Sequence, residues 1–220
     1  MFSIQKKGHT EYSLFIHNNL YRNEFYKFFI QNNFLPFGFI NNLTNELVFH
    51  AEKVCLLKDC IKDCIKDYNK NESYCLHMIQ SLSYQIKYFE KKGLTFLGFN
   101  IQDILVINDT QFFIAETSFV RPIHSSFIHL LVPYEKPYFS SPEIINATCL
   151  PSKIHYKSCY YSLGTLVVFV ILNEYLLKAN EVLTLEMIKS KLKPIYLSKM
   201  YWFLLRCLTE KVENRIILFV

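Results

Sequence analysis

The run from Tyr160 to Leu177 limits what this chain can fold into more than any other stretch. From Leu163 to Leu172 it carries no charge, and on a helix its apolar side chains point in every direction. A helix of that kind is buried on all sides. Its length decides in what. A bilayer needs about 20 apolar residues, whereas a run of about 10–14 reads as a helix through a protein core. Asn173 and Glu174 end the run, so the reading is a central core helix and no membrane span.

The chain has ample bulk to surround such a helix. Its 220 residues include 20 Phe and 15 Tyr, against only 5 Gly and 7 Pro. That balance excludes collagen-like and low-complexity classes. The formal charge is +5, but Lys is interleaved with Asp and Glu and not gathered in a stripe. Nucleic-acid binding therefore has little support. Seven Cys, an odd number without secreted-scaffold spacing, predict free thiols in a reducing compartment, cytoplasmic or nuclear. Residues 1–7 lack the apolar core of a signal peptide.

In chain order, residues 12–17 read as a strand and 18–31 as a helix with Leu20, Phe25, Phe28 and Phe29 on one face. The runs 34–40 and 47–50 flank an Asn/Thr-rich turn and predict a hairpin. Lys-Asp-Cys-Ile occurs at 58–61 and again at 62–65, placing Leu57, Ile61 and Ile65 on one helical face. Cys60, Cys64, Cys75 and His77 match no zinc spacing and read as packing residues. Asn71 is the expected cap of a helix whose buried face is Cys75, Ile79, Leu82, Ile86 and Phe89, with Gly93 as its terminator. Residues 104–107 and 111–115 predict a second hairpin. Residues 116–142 read as a long irregular loop, and loops of that length are usually functional. Amphipathic helices are expected near 185–192 and 197–209, with a break at Pro194.

Five ordered segments resemble the protein kinases. Residues 100–106, Asn-Ile-Gln-Asp-Ile-Leu-Val, are similar to the family's Lys-Pro-Glu-Asn-Ile-Leu-Val. Residues 113–118 fall where the family has Lys-Ile-Ala-Asp-Phe-Gly. Ser141-Pro142-Glu143 resembles Ala-Pro-Glu, and Tyr161-Ser162-Leu163-Gly164 resembles the opening of the family's central helix. Residues 207–215 resemble Cys-Leu-x-x-Asp-Pro-x-x-Arg. Leu47-Val48-Phe49-His50 is similar to the strand entering the hinge.

The resemblance implies an α+β, protein-kinase-like fold: a truncated small β-containing N-lobe over 1–52 and a mostly helical C-lobe over 53–220. It also implies lost chemistry. Phosphoryl transfer depends on positioning and charge stabilisation by a few groups. The catalytic-loop triplet His-Arg-Asp falls on Phe96-Leu97-Gly98, so Gly98 stands where the proton-accepting Asp is expected. Asn100 replaces the phosphate-contacting Lys. Asp103 and Glu116 replace the metal-binding Asn and Asp, and are expected as relics on a solvated cleft edge. As an alternative reading, the two would hold Mg²⁺ in an unorthodox nucleotide-binding protein or phosphotransferase. No Gly-rich loop precedes residue 38, Phe15 or His17 stands at the strand-borne Lys position, and Glu24 lacks that Lys as partner. The family's architectural ion pair is retained as Glu143 and Arg215. The expectation is a pseudokinase that is not an enzyme and takes no cofactor or metal. It would bind protein, either an active kinase or a larger assembly; the aromatics of residues 12–39 either form that contact or fill the small lobe's own core.

Overall fold

The computed structural model describes residues 1–31, 35, 37–64, 68–176 and 183–218. The chain opens with strands β1 (Phe2–Lys6) and β2 (Glu11–Ile16), followed by helix α1 (Asn19–Gln31). Strand β3 (Phe39–Asn41) turns into β4 (Glu46–His50), and β5 (Val54–Leu56) leads directly into α2 (Leu57–Cys64). The long helix α3 (Tyr68–Lys91) comes next, then β6 (Leu94–Phe96) and β7 (Gly98–Phe99). A 3-10 turn at Ile101–Asp103 enters the hairpin β8 (Ile104–Ile107) and β9 (Gln111–Ile114). Strands β10 (Val120–Pro122), β11 (Phe127–Leu130) and β12 (Phe139–Ser140) precede the short helix α4 (Pro142–Ile145) and β13 (Ser152–His155). Helices α5 (Ser158–Leu172), α6 (Leu185–Lys191) and α7 (Lys199–Cys207) complete the described elements.

Two compact units result. One comprises Met1–Lys62 with Ile101–Ser118, the other Asp63–Asn100 with Phe119–Val220. In the first, the strand order is β1-β2-β4-β3, antiparallel throughout, beside a second sheet β5-β8-β9. Phe25, Tyr26, Phe28 and Phe29 of α1 are buried. Tyr26 ties the helix to the sheet: its hydroxyl accepts from Ile16 N–H at 3.1 Å and lies 3.0 Å from the carbonyls of Leu14 and Asn45. Phe29 meets Phe113 edge-on at 5.0 Å, a geometry that the aromatic quadrupole favours. Leu20, expected on this face, is exposed. The turn of the β8–β9 hairpin places Asn108 and Asp109 at positive φ, which suits the short polar side chains read there.

In the second unit α5 is the central helix that its apolar run predicts. Residues 158–170 are buried, and Asn173, at φ 52°, stops the helix at Leu172. Leu177, the expected end, lies outside the described residues. Gly164 is where α5 comes close to the chain after α7: a methyl group there would sit 2.8 Å from Leu208 Cδ2 and 3.1 Å from Cys207 Cβ. Cys75, Ile79, Leu82, Ile86 and Phe89 of α3 are all fully buried, as their spacing requires. Gly93, at φ 71°, follows the helix end.

Several expectations need correction. The second lobe is not mostly helical: the chain is an α+β mixture, 41% helix and 25% strand, with several small antiparallel sheets. The reason lies in residues 116–142, which are not an irregular loop. Strand β10 pairs with β6, β11 with β13, and β12 with β7. Ile128 and Leu130 alternate inward and join Leu97, Phe119, Ile144 and Ile154 in an apolar cluster. Helix α3 begins at Tyr68, so Asn71 lies inside it and does not cap it. Cys55 and Cys60 are disulfide-bonded, whereas Cys75, Cys149, Cys159 and Cys207 are free as expected. Ile65 lies outside the described residues, as does the side chain of Cys64.

Candidate functional site

The positions expected to carry chemistry divide between the two units. In the second unit Gly98 sits in β7, paired with Ser140 of β12. A side chain there has no room. Its Cβ would collide with the carbonyl oxygen of Phe139 and would approach Pro137 Cβ to 3.0 Å. Asn100 Oδ1 accepts the backbone N–H of Tyr138 at 2.7 Å, so its amide holds the incoming chain where a phosphate-contacting Lys is expected. Leu97, in the place of a phosphate-pairing Arg, is fully buried in the apolar cluster. An apolar side chain fits there because the facing strands offer Ile128 and Leu130.

Ser141, Pro142 and Glu143 form a helix start with a clear local cause. Ser141 is the N-cap, its hydroxyl accepting from Ile144 N–H at 3.4 Å, and Pro142 fills a first-turn position that has no need of an N–H. This fixes Glu143 toward Arg215. The guanidinium donates to Oε2 at 3.0 Å and to Oε1 at 2.6 Å, a two-pronged pair. It also donates to the carbonyls of Thr209 at 2.8 Å and Glu210 at 3.3 Å. Arg215 is 1% exposed. Burial pushes the Glu143 carboxyl up, but the hydrogen bonds and charge of Arg215 outweigh it and leave the group below the usual carboxylate range. Beside the pair opens a cavity of about 190 Å³ lined by Pro142, Glu143, Asn146, Tyr161, Leu208 and Arg215, among others.

In the first unit, Asp103 and Glu116 do not lie on a solvated edge. Each is 8% exposed. Asp103 closes the 3-10 turn, and its carbonyl accepts Ala115 N–H at 2.9 Å, joining the ends of the hairpin. Glu116 Oε1 accepts the N–H groups of Thr117 and Ser118 at 2.9 Å each, and also the ammonium of Met1. Burial alone would raise this carboxyl, but the amino terminus and the Ser118 N–H pull it below its ordinary value. Three donors thus converge on one of its two carboxylate oxygens. Among the described residues no group of three or more His, Cys, Asp or Glu is arranged to hold a metal ion.

The geometry thus brings Glu143 and Arg215 together, sets Gly98 and Asn100 against the backbone of Phe139 and Tyr138, and buries Asp103 and Glu116. Sequence reasoning missed the closure over Gly98 and the strand pairing that causes it. The β7–β12 pairing gave no periodic signal, whereas the separate strand β11 was signalled by the alternation in Phe127-Ile128-His129-Leu130. No family model matches the chain, and no curated protein matches it. No helix among the described residues is long and apolar enough to cross a membrane.

Proposed function

We propose that this chain is a catalytically inactive relative of the protein kinases that works by binding protein, either regulating an active kinase or serving as a subunit of a larger assembly. The observation that carries this reading is Gly98. The position where the resemblance puts the proton-accepting Asp is blocked by the Phe139 carbonyl and Pro137, so a carboxylate cannot enter without displacing backbone. The pair of half-buried Glu143 with buried Arg215 supports the same reading, because it keeps an architectural contact without chemistry. Leu97 supports it too, since a buried aliphatic side chain offers nothing to an activating phosphate.

Binding through the first unit is supported by its exposed apolar residues. Of the aromatics between 12 and 39, Tyr12, Phe25, Tyr26, Phe28 and Phe29 are buried, but Phe37 is 84% and Phe39 is 54% exposed, and Leu43 in the turn after β3 is 94% exposed. Exposed apolar clusters on a folded unit favour interaction sites. The test is affinity capture of the full chain with identification of co-purifying proteins, compared with Phe37→Ser/Phe39→Ser. The reading expects a partner lost from the double variant. A thermal melt with ATP and Mg²⁺ checks the inactive half. A ligand at 100 times its dissociation constant adds about 2.7 kcal/mol, so a metal-dependent shift would instead return the nucleotide-binding alternative through Asp103 and Glu116.

A further inference from the structure

The turn between β10 and β11 holds two histidines that none of the preceding assignments uses. His124 and Phe127 exchange backbone hydrogen bonds, His124 N–H to Phe127 O at 2.8 Å and Phe127 N–H to His124 O at 2.9 Å. The two residues between them, Ser125 and Ser126, have φ of 48° and 71°. A two-residue turn with both central residues left-handed matches the twist of the strands it joins. This fixes the backbone at His124. The other side of the hairpin is fixed by β13, where Phe127 pairs with His155, Ile128 with Ile154 and His129 with Lys153. Residues two apart on a strand share a face, so Phe127 and His129 point the same way, outward, while Ile128 and Leu130 point into the core.

The result is a pair of exposed imidazoles, His124 and His129, with ring centres 5.9 Å apart and planes at 80°. Among the described residues neither ring nitrogen pair has a hydrogen-bond or ion-pair partner; the contact each ring makes is with the other. The spacing is compatible with a shared ion. A metal lies about 2.0–2.1 Å from a ligating imidazole nitrogen and so roughly 3.2 Å from the ring centre, which puts two rings on one ion no more than about 6.4 Å apart. The observed separation falls inside that limit, and small side-chain rotations bring the rings to a tetrahedral angle.

We propose that His124 and His129 form a two-histidine site for a borderline transition-metal ion, of the Zn²⁺, Ni²⁺ or Cu²⁺ type that imidazole suits, with water completing the coordination. Hard cations such as Mg²⁺ are not its ligands, because they select oxygen donors. The bound ion ties His124, just before the Ser125–Ser126 turn, to His129 of β11. Because a ligating imidazole must be neutral, the affinity falls as the medium is acidified.

The test is calorimetric titration of the untagged full chain with NiCl₂ and ZnCl₂ in a non-chelating buffer. It is run in a Cys149→Ser background, since Cys149 is an exposed free thiol that competes for soft ions. The expected result is saturable one-to-one binding. His124→Ala and His129→Ala each weaken it at least tenfold, roughly the lower end of what even an outer-shell partner contributes. His155→Ala, a neighbour on the same sheet, leaves it unchanged. All three positions are on the surface or half-buried, so circular dichroism should show each variant folded. Absence of binding, binding retained by the His124→Ala/His129→Ala double variant, or equal weakening by His155→Ala would each overturn the assignment.

Discussion

Glu143, half-buried, and Glu116, buried, are both carboxylates held below their ordinary pKa, yet they are held by different partners. Glu143 is matched by a side chain 72 residues away in sequence, through two charge-assisted bonds from Arg215. Glu116 is matched by the Met1 ammonium, 115 residues away, together with the N–H groups of its own neighbours Thr117 and Ser118. The first arrangement joins distant segments, and losing Glu143 strands the buried charge of Arg215. The second also joins distant segments, through Met1, but adds donors from its own turn. Glu116 Oε1 has thereby become part of the hydrogen bonding of its own turn.

That contrast can be broken or sharpened experimentally. The largest effect is expected from Glu143→Ala, which leaves Arg215 buried and unpaired and should cost about 3–5 kcal/mol, read as a lower denaturant midpoint with unchanged m-value. An effect no larger than that of a surface substitution would remove the architectural role. Gly98→Asp, which reinstates the missing carboxylate, comes next. It should destabilise by about 1–3 kcal/mol through overpacking against Phe139 and Pro137, and bring no ATP-dependent phosphotransfer in a radiolabel assay. Asp103→Ala and Glu116→Ala should each cost about 1–3 kcal/mol, since both side chains are buried and polar partners are left behind. Glu116→Gln, which keeps an acceptor oxygen, should cost less.

The smallest effect is the pH dependence. Both glutamates have folded-state pKa values below the reference value of 4.5. Their stabilisation is therefore complete above that value and is lost as pH falls through the depressed folded values. Acid melts of wild type and Glu143→Ala should converge as pH drops below 4.5, with the variant showing the flatter acid limb.

Much of the helical architecture was legible because its signals are local and periodic. The apolar run of α5 and the four- and three-residue steps of α3 place their faces without reference to anything distant. Asn108-Asp109 and Gly93 announce their turns by residue type. What was not legible depends on pairing across sequence. Strand β12 has two residues, too few for a periodic pattern, and its partner β7 is some forty residues earlier. The same pairing hides the closure over Gly98, which no property of the glycine itself signals. Burial of Asp103 and Glu116 was missed because a charged residue on a turn looks solvated in sequence. Only the donors around Glu116 explain why it is not.

Gly164 has one further consequence. The space that a side chain would need there is taken mainly by Leu208, with Cys207 Cβ close by, so the identities of positions 164 and 208 are coupled. An alanine at 164 is better tolerated once residue 208 has shrunk, for example to valine. A chain accumulating neutral changes must then make the distal substitution first. Selection for second-site suppressors of a temperature-sensitive Gly164→Ala strain should return position 208 ahead of any residue on the helix that carries the glycine.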